Sequence, residues 1–263
     1  MTSYLPDRIP VVVIYVLITV VFFAAAEFGY RFGEWWKNRR GIAKEALVSA
    51  QVGVVLALLS FLVAFTVGIA ASRFDVRRTL ILTEANSIGT TELRARLLPE
   101  PYGQQSRDLL REYVSFRISS DDSIETLQRL EQESQSILDE LWSLATLAAQ
   151  QSPTPITSLY IASLNETIDI HAERIFAIEY SRVPFSIIFI VLVVGVLTFV
   201  AIGFNNNLYK ARNAVILTIV VLVFSLVISL IIDLDRPNDG LLRVSQQPLI
   251  DLQEQLNADV ASQ

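Results

Sequence analysis

Four long apolar runs decide what this chain is dissolved in. Ile9 to Phe28, Ala46 to Ala71, Val183 to Phe204 and Ala214 to Ile232 hold a single charge among them, Glu27, close to the end of the first run. A helix needs about 20 apolar residues to cross the ~30 Å of bilayer hydrocarbon, and each run supplies roughly that many. A buried helix of a water-soluble protein that long and uncharged on every side would be unusual, and four in one chain more so. The chain reads as a four-span integral membrane protein whose first partner is the lipid bilayer. The run at 9–28 is longer than the apolar part of a leader peptide, and Glu27-Phe28-Gly29-Tyr30 makes a poor cleavage site, so it counts as the first span.

Composition narrows the function classes. There is no cysteine and one histidine, and the chain lacks a Gly-rich phosphate loop, a nucleophile elbow and a His-Glu-x-x-His zinc motif. No catalytic constellation, resident metal or cofactor is expected. Between Arg73 and Val183 the chain carries 11 arginines, no lysine and 17 carboxylates, a balance that argues against nucleic acid as a partner.

With four spans, the connections 29–45 and 205–213 share one membrane face, and the N-terminus, residues 73–182 and the tail share the other. Lys37, Lys44 and Lys210, the only lysines, all fall in the two short connections, beside Arg31, Arg39, Arg40, Trp35 and Trp36. Positive charge marks the cytoplasmic side, so residues 73–182 are expected to be extracytoplasmic in a multi-pass protein of the cell membrane. The same parity brings Arg73, Arg77 and Arg78, just past the second span, to the boundary where Asp233 and Asp235 leave the fourth. They are expected to pair.

The polar middle reads as helical throughout. No proline or glycine interrupts residues 72 to 88, so the second span runs on beyond the membrane and stops at Pro99 and Pro101. Gln104 to Ile118 is a second helix with Leu109, Leu110, Tyr113, Val114 and Ile118 on its apolar side, and residues 119–123 are a loop. Leu127, Leu130, Ser134, Ile137, Leu141, Leu144 and Ala148 form a heptad-like stripe, and a last helix from Ile156 to about Arg182 packs through Ile161, Leu164, Ile168, Ile175 and Ile178. The fold class is all-α, four transmembrane helices with a helical bundle inserted between spans 2 and 3. The expected divisions are 1–72 (spans 1 and 2), 73–182 (the bundle), 183–232 (spans 3 and 4) and 233–263. In the last, Leu249, Leu252, Leu256 and Val260 make an amphipathic face suited to docking on the bundle. His171 reads as a packed core histidine, Glu166, Asp169 and Glu173 as a solvated acidic face, and Glu27 as an interfacial carboxylate.

The second span carries a distinct pattern. Ser49, Gly53, Ala57, Ser60, Ala64, Gly68 and Ala71 recur at steps of four and three, which aligns them on one helical face. In lipid, small residues let helices approach closely, so this face suits a helix contact. The line also continues outward through Asp75, Thr79, Asn86 and Thr90. Small residues followed by polar ones suit a helix that lines a pore, with Gly53, Ala57, Ser60, Ala64, Gly68 and Ala71 as an apolar constriction and the polar four as a vestibule. One copy cannot enclose such a path, so conduction of inorganic ions requires a cyclic homo-oligomer.

Several stretches together resemble the bacterial membrane proteins termed bestrophin-like. They are Ser72-Arg73-Phe74-Asp75-Val76-Arg77-Arg78, Glu84-Ala85-Asn86-Ser87-Ile88-Gly89-Thr90, Arg94-Ala95-Arg96-Leu97-Leu98-Pro99, Leu164-Asn165-Glu166 and Asp233-Leu234-Asp235-Arg236-Pro237. The more distant resemblance to true bestrophins implies a pentameric ion channel whose second span lines the pore. It also implies a cytoplasmic position for the segment between spans 2 and 3, opposite to what the lysines predict. The acidic calcium clasp of animal bestrophins has no counterpart here, and of their aromatic neck only Phe61 and Phe65 are present. Asp75 would repel anions while Arg73 and Arg77 would attract them, which leaves the sign of the ion open. The alternative is a non-conducting sensor or scaffold whose helical domain binds a partner, favoured by the heptad-like helix and the amphipathic tail.

Overall fold

The computed structural model describes residues 9–40, 45–118, 124–208, 214–236 and 240–261. Lys44, Lys210 and the loop 119–123 lie outside these, as do the side chains of Arg39, Arg40, Leu127 and Val260. All regular structure among the described residues is helical: α1 (Val11–Arg40), α2 (Glu45–Ala95), α3 (Tyr102–Arg117), α4 (Ile124–Gln151), α5 (Pro155–Glu179), α6 (Phe185–Leu208), α7 (Ala214–Asp235) and α8 (Gln247–Ala261). Four of them, α1, α2, α6 and α7, are long and apolar enough to cross a membrane, in agreement with the four runs. The described residues form two compact units, one within 75–118, 124–181 and 243–261, the other within 9–40, 45–74, 182–208, 214–236 and 240–242. The division falls inside α2.

The membrane unit is organised by backbone contact between α1 and α6. A methyl group added at Gly29 would overlap the carbonyl oxygen of Val200, and one added at Gly203 would overlap that of Ala26. Gly195 admits the ring of Phe22, which stacks on Phe199 with centroids 4.5 Å apart. Glycine therefore marks the places where two helices in lipid gain close packing. Around this seam Ile14, Ile18, Leu59, Val63, Ala70, Val191, Val221, Ile228 and Ile231 complete one apolar core. At the far end of α7, Asp233 accepts hydrogen bonds from the backbone amides of Leu241 and Leu242 at 3.0 and 3.1 Å, and Asp235 accepts from the amide of Val183 at 2.7 Å. These two carboxylates thus tie down the turn after α7 and the entry to α6, a role the sequence reading did not assign. Arg236 donates to the carbonyl of Ile9 at 2.6 Å.

α2 has 51 residues, about 77 Å of helix at a rise of about 1.5 Å per residue. That is more than twice the ~30 Å hydrocarbon thickness, so its second half stands outside the membrane. There it enters the polar unit, where Ile81, Ala85, Ile88 and Ala95 pack with Leu110, Tyr113 and Val114 of α3, Ile137, Leu138, Leu141 and Ala145 of α4, and Tyr160 and Leu164 of α5. Leu249, Leu252 and Leu256 of α8 belong to the same core, and a Cβ on Gly89 would sit 3.4 Å from Leu252. α5 starts at Pro155 behind Thr154, whose hydroxyl accepts from the amide of Thr157 at 3.3 Å.

The face that α5 buries overlaps the expected one and extends beyond it. Leu164 belongs to the core and Ile161 and Ile168 pack against it, as expected, while Thr157, Tyr160, Ser163, Thr167, Ile170, His171, Arg174 and Ala177 are also buried and Ile175 and Ile178 are only half-buried. The reason is electrostatic: the inward side of α5 satisfies a polar network described below, and the isoleucines flank it. Glu166, Asp169 and Glu173 are exposed, and Asp169 accepts from the amide side chain of Asn165 at 2.8 Å.

Candidate pore face and its buried anchor

Within the membrane unit, α2 turns two unlike sides in two directions. Leu59, Val63, Thr66 and Ala70 are buried in the unit's own core. Gly53, Ala57, Ser60, Ala64, Gly68 and Ala71 are all exposed, and among the described residues nothing lies within 4 Å of a Cβ built on Gly53 or Gly68. The small-residue face is therefore not a contact with α1, α6 or α7 of the same chain. Ser49, at its start, is the exception, half-buried with its hydroxyl accepting from Asn205 Nδ2 of α6 at 3.3 Å. Ser60 donates to the carbonyl of Leu56 at 2.9 Å, so its hydrogen is spent on its own helix and the face stays weakly polar. Beside this face stands an apolar ridge, Val54, Leu58, Phe61 and Phe65, with Phe61 and Phe65 66% and 60% exposed and their rings stacked 6.4 Å apart.

Within the polar unit, Asp75, Thr79, Asn86 and Thr90 are exposed along α2. Thr90 donates to the carbonyl of Asn86 at 2.9 Å, and Thr83 donates to that of Thr79 at 3.0 Å. Leu82 and Leu93 share this exposed side at 51% and 56%, so the surface is mixed where the sequence reading named only its polar members. Arg73 and Arg78 are exposed and Arg77 is buried.

The opposite side of this part of α2 is anchored by a buried ionic cluster that the sequence reading missed. Glu84 has no exposed side-chain surface, and its Oε1 accepts from Arg117 Nε at 2.9 Å and from the Tyr113 hydroxyl at 2.9 Å. Its Oε2 takes a short bond from Arg174. Burial alone would raise the carboxyl's pKa, but the charges of Arg117 and Arg174 and the hydrogen bonds they and Tyr113 donate hold it down at about 2. The cluster thus joins α2, α3 and α5 through a centre that stays ionised at neutral pH.

His171 extends it. The Tyr113 hydroxyl has one hydrogen and gives it to Glu84, so the 2.9 Å contact with His171 Nδ1 requires the imidazole to donate, which places the proton on Nδ1. Nε2 is then an unprotonated acceptor, buried with no partner among the described residues. Burial, reinforced by the nearby positive charge of Arg117 and Arg174 and opposed by Glu84, lowers the pKa of His171 to about 4, so it is neutral near pH 7. One turn along, Ser87, Thr91 and Thr167 close a hydroxyl network, Ser87 to Thr167 at 2.7 Å and Thr91 to Thr167 at 3.1 Å. A signal for the cluster was present: Arg77, Glu84 and Glu92 fall on the same helical period as Ile81, Ile88 and Ala95, and charge on an apolar period needs a buried partner.

A family model described as the Bestrophin-like domain matches residues 12–249. The chain belongs to the Bestrophin-like family. Its fold is that of bacterial bestrophin homologues from Klebsiella pneumoniae. One such structure, phased on zinc, superposes with a TM-score of 0.69 at 15% identity, covering 96% of this chain and 98% of the other. Two point variants of that homologue give TM-scores of 0.70 and 0.68, each at 15% identity and with 96% of this chain covered, and with 98% and 99% of the other chain covered. Among curated proteins there is no match. At such low identity the likeness carries the helical architecture, and the bestrophin-like chain's own side chains must carry its chemistry.

Proposed function

We propose that this bestrophin-like protein is an ion channel, a cyclic homo-oligomer in which the small-residue side of α2 borders the axial path. The observation that carries this reading is the exposure of Gly53, Ala57, Ser60, Ala64, Gly68 and Ala71 on a helix whose other side is buried in its own subunit. A face of small side chains open along its whole length fits a narrow, weakly polar conduit that gates by dewetting. The ridge of Val54, Leu58, Phe61 and Phe65 next to it suits contact with the adjoining subunit, since exposed aromatic and aliphatic patches of this kind mark interfaces. Asp75, Thr79, Asn86 and Thr90 then form the wider polar mouth, on the extracytoplasmic side if the lysines set the orientation. Pairing of Arg73 with Asp235 at the membrane boundary where both emerge belongs to the same reading. Exchanging the two residues, Asp235→Arg with Arg73→Asp, should rescue the losses of the single variants.

The two features that favoured a partner-binding scaffold are occupied within the chain. Ile137 and Leu141 of the heptad-like helix, and Leu249, Leu252 and Leu256 of the tail, are buried in the polar unit's own core. The decisive experiment combines oligomeric mass in detergent with ion flux in liposomes for the wild-type chain and for Gly68→Leu. A pore face predicts unchanged mass and flux reduced at least about tenfold, because each added leucine projects into the path once per subunit. A monomeric wild type, or a variant that loses assembly while flux per oligomer persists, would refute the channel reading.

A further inference from the structure

Arg73, Asp75 and Arg77 crowd together in sequence just past the small-residue face, with charges of opposite sign. The structure separates them. Asp75 is exposed, four residues after Ala71 on the same helix, and opens an exposed column that runs at steps of four and three through Thr79, Leu82, Asn86 and Thr90 to Leu93. It is the one charged residue in that column. Arg77 is 5% exposed, so its charge is withdrawn from this surface. Arg73 is exposed, but two residues from Asp75 at about 100° per residue puts it about 160° around α2, on nearly the opposite side. Arg78 is exposed on the flank, about 60° from Asp75 by the same reckoning, and no ion pair joins the two among the described residues.

The guanidiniums of the buried cluster are set further back. Arg117 and Arg174 meet α2 at Glu84, which compensates one of them. Glu84 lies half a turn around the helix from Asp75 and about 13 Å further along it, at about 1.5 Å per residue. The small-residue face brings no charge of its own, and Ser60 spends its hydrogen on its own helix. The first full charge along that line is therefore the Asp75 carboxylate.

We propose that Asp75 sets the sign of the permeant ion: in the assembled oligomer a ring of Asp75 carboxylates, at the end of the small-residue path, admits inorganic cations over anions. This rests on the channel reading above and adds the ion class to it. Rings of acidic side chains are a general device for cation selectivity. A unit charge ~8 Å from an ion in bulk-water dielectric favours one sign over the other about fivefold, and every subunit contributes one carboxylate. Arg78 offsets part of that field from its place off the column.

The test is the reversal potential of the full-length oligomer in planar bilayers under a potassium chloride gradient. Wild type should prefer potassium over chloride at least about fivefold near ~0.1 M salt, and less at ~1 M, where the screening length falls from ~10 Å to ~3 Å. Asp75→Asn should bring the ratio to within about twofold of unity with oligomeric mass unchanged, and Asp75→Lys should make chloride the preferred ion. Arg78→Gln should shift the ratio less than Asp75→Asn does. A wild type that prefers chloride or neither ion, a ratio untouched by Asp75→Asn, or a larger effect of Arg78→Gln would overturn the assignment while leaving the channel standing. The wild-type ratio needs no variant, so it decides alone where a substituted chain fails to assemble. An assembled wild type that carries no current would remove the channel reading, and this assignment with it.

Discussion

Glu84→Gln should destabilise the polar unit by about 3 kcal/mol, a figure that two independent routes support. Glutamine preserves the shape and can still accept from Tyr113, so the substitution removes charge and little else. The carboxyl's pKa is held at about 2 against a reference of 4.5, a difference worth about 3 kcal/mol at about 1.36 kcal/mol per pH unit. Mutational experience with buried ion pairs broken on one side gives about 3–5 kcal/mol, because the surviving charge is left without compensation. Here two guanidiniums, Arg117 and Arg174, would be stranded together, each with only 10% of its side chain exposed. The assay is thermal unfolding of the full chain in detergent by far-UV circular dichroism, with amide hydrogen exchange to localise the loss. A fall of roughly 10 °C is expected, with accelerated exchange in α3 and α5. Replacing the whole ionic set, Glu84→Gln with Arg117→Met and Arg174→Met, should recover most of the loss, since well-packed apolar groups often match a buried pair. A single variant melting within about 1 kcal/mol of wild type would mean that the carboxylate is effectively solvated, and the argument for a buried anchor would fail.

Acid should weaken the polar unit in two stages. His171 and Glu84 both have folded pKa values below their reference values, so the unfolded chain takes each proton first, and stability present at neutral pH is lost as pH falls. For His171 the window runs from about 6.5 to about 4 and for Glu84 from about 4.5 to about 2. Urea unfolding between pH 7 and 4 should therefore show a slope that flattens in His171→Gln, and an unchanged slope would remove the histidine from the account. In the membrane unit, Gly203→Val should prevent α1 and α6 from closing, at a cost of at least about 1–3 kcal/mol, measured as loss of folded chain in detergent, because the new methyls would meet the Ala26 carbonyl. Leu249→Ala should cost about 2–5 kcal/mol of docking for α8 and expose the tail to limited proteolysis after residue 243, since Leu249 is fully buried.

The sequence by itself determined the class of this molecule. Length and unbroken apolarity select spanning helices, since a chain in hydrocarbon must satisfy every backbone group internally and these runs have no other way to do so. The absence of helix breakers from Ser72 to Ile88 likewise determined that α2 would continue far beyond the bilayer, and the leucine spacing at 249, 252 and 256 marked a face that needed cover. What the sequence left undetermined was which small residues face inward. Ala26, Gly29, Gly195 and Gly203 close the seam between α1 and α6, whereas a Cβ on Gly53 or Gly68 of α2, which carry the same kind of signal, would meet nothing among the described residues. Small side chains in lipid permit close approach without specifying whose backbone arrives, so only the tertiary arrangement could separate a sealed seam from an open face. Part of the buried side of α5, beyond Leu164 and His171, was hidden for a related reason. Hydrophobic periodicity pointed to its isoleucines, while three charges and two aromatic polar groups on α2, α3 and α5 find one another across 29 to 90 residues of chain. Ion pairing in a low-dielectric core depends on through-space distance, and that distance exists only once the helices are packed.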